Sequence, residues 1–312
     1  MKLSVVVPCY NEAANVSEFE SELSKALLKE KITYEIIFVD DGSTDDTYSK
    51  LSSLNKANKN VKVIRFSRNF GKESAMLAGL KNASGSYVAI MDADLQHTPE
   101  MLILMYKKLI NDDSFDCCCA YKSNREDEGS LKRTLTSLFY KINNKISDVK
   151  LLPGASDFRV FKKSVCDAIT SLDEKTRFLK GMFSWVGFNT IYVPYMPEKR
   201  MYGTSKWSLF KLLKYSLGGI ISFSTKPIKS VFIIGVVALI VGLLNFILMG
   251  NLANRTIILF ISFIMLQLGI MSLYVSRIYS NILNRPCYII KEKLGFNDKS
   301  SRRNDCTRLR VR

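Results

Sequence analysis

Apolar and polar stretches alternate along roughly the first 120 residues of the chain. Short apolar runs rich in β-branched and aromatic residues predict five strands, at 3–7, 34–39, 61–66, 87–91 and 116–121. The polar segments between them predict helices, among them 14–29, 46–57 and one that ends at Asn82. Strands that alternate with helices in this way predict an α/β domain with a largely parallel sheet.

The pattern changes in the second half of the chain. A turn at Gly154 leads into a predicted strand, 181–187 has the pattern of a buried helix, and 189–194 has that of another strand. Two uncharged apolar stretches follow, 230–250 and 256–276, each about the 20 residues that a helix needs to cross a membrane. They predict a two-helix transmembrane hairpin, with two buried core helices as the alternative.

Residues 207–229 precede the first span and are predicted to form amphipathic helices at the membrane interface. Their leucines lie on one side, with Lys211 and Lys214 interspersed. An ordinary amphipathic helix packed on the globular domain is the alternative. The predicted organisation is a globular domain at 1–206, juxtamembrane helices at 207–229, a transmembrane hairpin at 230–279 and a basic cytoplasmic tail at 280–312.

Charge predicts the orientation and narrows the partners. The chain has 45 Lys and Arg against 29 Asp and Glu, a net charge of +16, so an anionic partner is expected. Basic residues flank both spans, whereas the connector 251–255 holds one, which predicts a multi-pass protein of the plasma membrane with the domain and both termini cytoplasmic. The basic residues crowd near the membrane and in the tail and not on an aromatic platform, which favours anionic membrane lipid as a partner and argues against nucleic acid. The seven cysteines include no Cys-x-x-Cys pair and are interpreted as free thiols of a reducing compartment.

Asp92-Ala-Asp94 follows the fourth predicted strand and carries the clearest chemical signal. Two carboxylates at a strand end can hold a hard divalent cation and leave positions for phosphate oxygens. A polar strand end before a helix start at Thr98 is the alternative. Asp40-Asp41 follows the second strand and Lys72 follows the third. Because ligands bind outside the carboxyl ends of parallel strands, we expect these loops to converge on one crevice.

Together these groups fit a nucleoside diphosphate carried with a divalent ion. One carboxylate pair would bind the metal and the other, Asp40-Asp41, would accept hydrogen bonds from a base or ribose, while Lys72 would neutralise phosphate. No Gly-x-Gly-x-x-Gly follows the first strand, which argues against a dinucleotide-binding Rossmann domain. Arg200 and Lys206, just before the membrane segment, could clamp a second anion.

Five motifs in order resemble those of the polyisoprenyl-phosphate glycosyltransferases of family 2. Three resemble the N-terminal signatures of family-2 glycosyltransferases in general: VVVPCYNE at 5–12, VDDGSTD at 39–45 and MDADLQH at 91–97. SRNFGKE at 67–73 and RMYGTSKW at 200–207 narrow the resemblance to the lipid-phosphate branch, which includes dolichyl-phosphate mannose synthases and bactoprenol glucosyltransferases. The segments at 183–187 and 223–227 look closest to the bactoprenol enzymes, and the resemblance covers about residues 3 to 280.

The resemblance implies a GT-A fold, a Rossmann-like single domain, and a donor site within it. Asp40 would face the nucleotide base, and Asp92 and Asp94 would hold the diphosphate through Mg²⁺ or Mn²⁺. The same pocket would be lined by three residues of the first motif: Pro8, Tyr10 and Glu12.

The resemblance also implies an acceptor site. Asp157 stands at the position of the family's catalytic carboxylate, and Arg200, Ser205 and Lys206 would grip the phosphate of the lipid. His97, the single histidine, could touch metal or phosphate, or be a hydrogen-bonded turn residue.

The implied reaction is inverting transfer of a sugar, glucose first, from a UDP-sugar to undecaprenyl phosphate, for cell-envelope glycan modification. The acceptor phosphate is already ionised near neutral pH, so Asp157 is expected chiefly to orient a substrate, and the metal to stabilise the leaving group. Transfer from UDP-N-acetylglucosamine or GDP-mannose, a processive polysaccharide synthase and a non-catalytic nucleotide or lipid binder are the alternatives. The resemblance further suggests a homo-oligomer, a tetramer.

Overall fold

A computed structural model describes residues 2–122, 137, 140–141, 143–147, 149–175, 177–196, 219, 222–248 and 253–296. The strands are β1 (Lys2–Cys9), β2 (Thr33–Asp40), β3 (Val61–Phe66), β4 (Tyr87–Ile90), β5 (Cys117–Lys122), β6 (Ala155–Lys162), β7 (Thr190–Tyr195) and β8 (Ile290–Leu294). The helices are α1 (Val16–Lys29), α2 (Thr47–Ala57), α3 (Lys72–Asn82), α4 (Pro99–Asn111), α5 (Lys163–Ser171), α6 (Leu179–Trp185), α7 (Lys226–Leu248) and α8 (Ala253–Ile282).

All eight strands belong to one sheet, in the order β7-β5-β6-β4-β1-β2-β3-β8. The four strands β4, β1, β2 and β3 are parallel, as the alternating pattern predicts. Strand β6 is antiparallel to both β4 and β5, β7 is parallel to β5, and β8 is antiparallel to β3. The α/β class is confirmed, and the sheet is mixed at both ends.

Helices cover both faces of the sheet and enclose two apolar cores. Helices α1, α2 and α4 pack on one face, and α3, α5 and α6 on the other. Helix α3 packs tightly on the sheet: a Cβ added at Gly79 would be 2.2 Å from Val6 Cγ1 on β1. This close packing fixes the first residue of α3, Lys72, relative to the carboxyl ends of the parallel strands.

Strand β8 is an element that the sequence does not predict. It lies within 280–312, the predicted basic tail, yet it pairs with β3 along the sheet edge. Tyr288 stacks on Phe66 with ring centroids 4.9 Å apart, and Gly295 ends the strand at φ +79°. The predicted tail therefore includes a strand that the sequence did not predict, and packing against β3 outweighs the charged residues of so short a strand. Residues 297–312 lie outside the described ranges.

Helices α7 and α8 pack against each other; α7 covers the first predicted span as far as Leu248, and α8 covers the second. Among the described residues, one stretch is long and apolar enough to cross a membrane by length and composition, Phe263–Ile282 of α8. Helix α8 is also tied to the domain, since Tyr274 Oη donates to Ser224 O at 2.9 Å and Arg277 pairs with Glu174 at 3.7 Å. The predicted amphipathic helices at 207–229 fall largely outside the described residues.

Candidate functional site

The predicted site residues of the sheet gather at the carboxyl ends of its parallel strands. Asp40 is the last residue of β2, and Ile90 of β4 pairs with Arg159 of β6. Asp92, two residues after Ile90, and Asp157, two residues before Arg159, therefore lie beside each other. The expected convergence is confirmed for the loops after β2 and β4, and Asp157, which that expectation did not include, lies beside them.

Lys72 pairs with two of these carboxylates, Asp92 and Asp157. Lys72 Nζ lies 2.8 Å from both carboxylate oxygens of Asp92 and 3.2 Å from Asp157 Oδ2. Burial alone would lower the pKa of Lys72, but Asp92 and Asp157 outweigh it and raise that pKa. The lysine is therefore cationic at neutral pH and holds the two carboxylates together.

Asp157 has a second cation beside it that the sequence did not single out. Lys180 Nζ, on α6, lies 4.0 Å from Asp157 Oδ1 and donates to Ala155 O at 3.0 Å. Burial would raise the pKa of Asp157, but Lys180, Lys72 and Arg159 outweigh it and lower that pKa well below its usual range. Asp157 is thus ionised at any physiological pH. The one signal for Lys180 was a charged residue at the start of a predicted buried helix.

Asp92 and Asp94 have the chemistry of a divalent-cation site. Both offer hard carboxylate oxygens, as Mg²⁺ and Mn²⁺ prefer, and the Lys72 ammonium already rests against Asp92 as a cation. Leu95 turns the chain at φ +56°, and Gln96 N donates to Asp94 Oδ1 at 3.3 Å. In the described ranges no three potential ligand side chains converge, so a metal here would take its other ligands from phosphate oxygens and water.

Asp40 is fully buried and only partly satisfied. Its Oδ1 accepts a hydrogen bond from Ser43 N at 3.0 Å. Its Oδ2 has no hydrogen-bond donor among the described residues and lies 3.6 Å from Arg65 Nε, in an ion pair. A buried carboxylate oxygen without a donor is costly unless a ligand supplies one.

The neighbouring Asp41 is engaged by backbone. Its two oxygens accept hydrogen bonds from Phe70 N at 2.6 Å and Gly71 N at 2.9 Å. Gly42 follows at φ +69°, where a Cβ would be 2.4 Å from the carbonyl carbon of Arg68. Burial raises the pKa of Asp41 to about 6, although the two amide hydrogen bonds oppose that shift. Asp41 therefore anchors the loop that leads to Lys72.

The first motif lies next to the loop after β2. Pro8 pairs with Val39 in the β1–β2 ladder, and Tyr10, at the loop surface, is 36% exposed. Glu12 N donates to Thr47 Oγ1 at 2.9 Å, while Glu12 Oε2 accepts from Asn15 Nδ2 at 2.6 Å. The residues predicted to line the base pocket are thus brought close to Asp40.

His97 lies beneath the carboxylates and is almost fully buried. Its Nε2 is 3.1 Å from Tyr195 Oη and 3.4 Å from Ser156 Oγ, and its ring packs on Phe158. Burial lowers the pKa of His97, so its ring is neutral at physiological pH. These contacts favour the hydrogen-bonded turn residue over a ligand. The predicted acceptor residues Arg200, Ser205 and Lys206 lie outside the described part of the chain.

The mixed sheet with its acidic edge defines a fold of the GT-A type. Glucosyl-3-phosphoglycerate synthase from Mycobacterium tuberculosis, solved with Mn²⁺, UDP-glucose and phosphoglyceric acid, has a similar fold. The TM-score is 0.50 over 70% of this chain and 77% of that one, at 18% identity. More specifically, the chain belongs to glycosyl transferase family 2, whose model matches residues 4–170.

Several relatives match along nearly the full length. The SfII prophage-derived bactoprenol glucosyl transferase of Shigella flexneri is 35% identical over 305 residues, which cover 94% of this chain and 98% of that protein. The putative glycosyltransferase CsbB of Bacillus subtilis is 36% identical over 303 residues, covering 93% and 91%. An uncharacterised glycosyltransferase of Synechocystis is 35% identical over 308 residues, covering 95% and 96%. The resemblance read from the motifs is confirmed, and the chain is a glycosyltransferase.

Proposed function

We propose that this chain transfers a hexose, glucose first, from a UDP-sugar to undecaprenyl phosphate or a similar polyprenyl phosphate, with inversion at the anomeric carbon. The observation that carries the proposal is the cluster of Asp92, Lys72 and Asp157 at the sheet edge that also holds the buried Asp40. Full-length relatives named bactoprenol glucosyl transferases support glucose and a polyprenyl-phosphate acceptor.

Asp40 is the proposed receptor for the donor's base. Its Oδ2 is buried and has no hydrogen-bond donor in the described part of the chain, and the imide N–H of uracil would supply one. Asp41 acts indirectly, by holding the loop that leads to Lys72. The pocket would be completed by three residues of the first motif: Pro8, Tyr10 and Glu12.

Asp92 and Asp94 are proposed to hold Mg²⁺ or Mn²⁺ with the diphosphate of the donor. The bound ion would neutralise charge that develops on the leaving diphosphate. Lys72 adds a second positive charge at the same place, since it already contacts Asp92 at 2.8 Å. Together these residues favour departure of the nucleoside diphosphate.

The transfer itself needs no proton to move. An acceptor phosphate oxygen forms a bond to the anomeric carbon as the bond to the donor's diphosphate breaks, and the electron pair leaves on the diphosphate. Asp157 stays ionised between Lys72 and Lys180, so it cannot serve as an acid at neutral pH. The proposed role of Asp157 is to orient the substrate. The reaction is a single displacement, so an α-linked donor gives a β-linked product.

Three residues of the fifth motif are proposed to bind the acceptor phosphate: Arg200, Ser205 and Lys206. They precede the membrane helices in the sequence, where the headgroup of a membrane lipid would be presented. A cation pair and a hydroxyl suit a phosphate monoester.

The two helices α7 and α8 are proposed to form a transmembrane hairpin of the plasma membrane. Side chains of α8 such as Met265, Leu266 and Ile278 are more than half exposed, which suits a lipid environment. The domain precedes α7, and β8 after α8 pairs with the same sheet, which supports a hairpin with both ends on one side of the membrane. The basic flanks of the two helices support the cytoplasm as that side. A tetrameric assembly stays a prediction.

The test is transfer by the full-length chain in membranes or detergent. We expect labelled UDP-glucose and undecaprenyl phosphate to give a lipid-linked sugar phosphate when Mg²⁺ or Mn²⁺ is present, and none after chelation. Asp94→Asn should lose transfer, while Asp167→Asn, an exposed carboxylate on α5, should keep it.

No product with UDP-glucose, UDP-N-acetylglucosamine or GDP-mannose would overturn the proposal. Full activity of Asp94→Asn would overturn the metal assignment and leave the transferase intact.

A further inference from the structure

Strand β8 brings residues from beyond the membrane helices to the edge of the donor site. It pairs with β3 so that Glu292 lies opposite Arg65, next to a bulge between Arg65 and Phe66. The pairing continues past the strand, since Ser67 N donates to Ile289 O at 3.0 Å. Glu292 is thereby held at a fixed place on β3.

Arg65 lies between two carboxylates. Its Nε is 3.6 Å from Asp40 Oδ2, and its Nη1 is 3.8 Å from Glu292 Oε2. Both contacts are ion pairs, and their N–O distances are too long for good hydrogen bonds. The guanidinium is therefore shared between the two carboxylates and is not closed on either.

Tyr48 fixes the third side of this arrangement. The guanidinium carbon of Arg65 lies 4.1 Å from the centroid of the Tyr48 ring. The Tyr48 hydroxyl donates to Glu292, and burial together with that hydrogen bond raises the pKa of Tyr48 to about 12. Tyr48 thus remains a neutral donor, which supports Glu292 and the face of Arg65 at once.

The balance matters because Asp40 Oδ2 is the oxygen that lacks a hydrogen-bond donor among the described residues. If Glu292 did not attract Arg65 from the other side, the guanidinium could move toward Asp40 and donate to Oδ2. A charge-assisted hydrogen bond of that kind would occupy the lone pair that a nucleobase N–H needs. The base would then have to compete with Arg65 for the same oxygen.

We propose that Glu292 and Tyr48 are positioning residues that hold Arg65 off Asp40 and so keep Asp40 Oδ2 free for the donor base. The inference rests on the proposed function, in which Asp40 receives that base. It assigns to Glu292, in the strand that follows the membrane helices, a part in donor affinity.

Glu292→Gln in the full-length chain is the test, with Lys291→Gln as the control on an exposed neighbour in the same strand. We expect the KM for UDP-glucose to rise about three- to tenfold, with kcat and the KM for undecaprenyl phosphate unchanged. Tyr48→Phe, which keeps the ring under Arg65 and loses the hydroxyl, should raise the donor KM in the same direction by less. Lys291→Gln should change none of the three constants.

A double-mutant cycle tests the route through Asp40. In an Asp40→Asn background, Glu292→Gln should add nothing to the donor KM, because there is no longer a carboxylate for Arg65 to occupy. Full additivity, an unchanged donor KM in Glu292→Gln, or a joint loss of kcat and both affinities would overturn the inference. These outcomes require a wild-type chain that transfers sugar; a wild-type chain that neither transfers sugar nor binds UDP would instead overturn the proposed function.

Discussion

Strand β2 carries a buried carboxylate near each end, and the two differ in how they are satisfied. Glu35, near the start, accepts hydrogen bonds from Lys2 Nζ at 2.9 Å and from Ser84 N at 2.8 Å. Lys62 pairs with it at 2.7 Å, and the Ser4 hydroxyl also donates to it. Asp40, at the other end, has one backbone donor and an oxygen with none in the described residues.

The difference separates a structural charge from a binding charge. Burial would raise the pKa of Glu35, but its donors outweigh burial and lower that pKa to about 2. Asp40 lacks that compensation, so its free oxygen is costly to the folded chain and available to a ligand. We therefore propose that Asp40, at the carboxyl end of β2, serves binding and that Glu35, at the opposite end, serves stability.

The largest expected effect is at the functional end. Asp92→Asn removes a proposed metal ligand and one of the two carboxylates on Lys72, so transfer should fall at least about a hundredfold. The melting temperature should stay within about 3 °C of wild type, because the Lys72 pair is partly exposed. Transfer assays and thermal unfolding in detergent measure the two. A large drop in melting temperature with the rate per folded molecule retained would contradict the assignment.

Glu35→Gln should lower the melting temperature and leave transfer unchanged, the reverse of the result expected for Asp92→Asn. A carboxylate whose pKa falls from 4.5 to about 2 on folding contributes about 3 kcal/mol to the free energy of unfolding at neutral pH. Its loss should lower the melting temperature by roughly 6–12 °C, with kcat and both KM values unchanged below that temperature.

The pH dependence of this effect has a definite sign. Because the folded pKa of Glu35 lies below 4.5, its stabilisation is complete above that pH and is lost as the pH falls toward 2. The gap in melting temperature between wild type and Glu35→Gln should therefore narrow below about pH 4.5. If the difference in melting temperature were constant from pH 7 to pH 3, the ionised form of Glu35 would not be what stabilises the folded chain.

Asp40→Asn should change donor affinity without changing stability. We expect the KM for the UDP-sugar to rise at least about tenfold, roughly 1.4 kcal/mol of binding. The melting temperature should be unchanged, because Arg65 is partly exposed and keeps its ion pair with Glu292. Equal loss of stability and donor affinity would mean that Asp40 is structural in the same sense as Glu35.

The smallest effect concerns Asp41, whose pKa is raised to about 6. Protonation as the pH falls from 7.5 to 5.5 weakens its hold on Phe70 N and Gly71 N, so the donor KM should rise about two- to threefold. Asp41 contributes more to the unfolding free energy as the pH falls toward its ordinary value of 3.8, so this change is not unfolding. Asp41→Asn should have, at both pH 7.5 and pH 5.5, the donor KM that the wild type has at pH 5.5. A wild-type donor KM that does not change between these pH values would contradict the role of Asp41 in anchoring the loop.

Much of the site was predictable because it is encoded locally. Asp40, Asp92 and Asp94 directly follow apolar runs, and the parallel arrangement of those runs brings their ends together. Asp157 was assigned through the family resemblance, and its strand was predicted from the turn at Gly154. The parallel direction of β1 to β4 followed from the alternation of strands and helices, whereas their order in the sheet was not predicted.

What could not be predicted depends on partners distant in the sequence. Asp40 and Asp41 are adjacent and alike, and only the loop around Phe70 distinguishes their roles. Strand β8 is five residues long, carries three charges at its centre, and pairs with a strand more than two hundred residues earlier. Its stability comes from β3 and from the stacking of Tyr288 on Phe66, which no local pattern reveals.

The central claim is that the unsatisfied carboxylate of β2 binds the donor nucleotide and the satisfied one does not. Calorimetric titration of UDP with Mn²⁺ into the full-length wild type, Asp40→Asn and Glu35→Gln tests it directly, below the melting temperature of all three. The account predicts the same Kd for wild type and Glu35→Gln and one at least about tenfold weaker for Asp40→Asn. Equal UDP affinity in wild type and Asp40→Asn, or equal weakening in both variants, would contradict it.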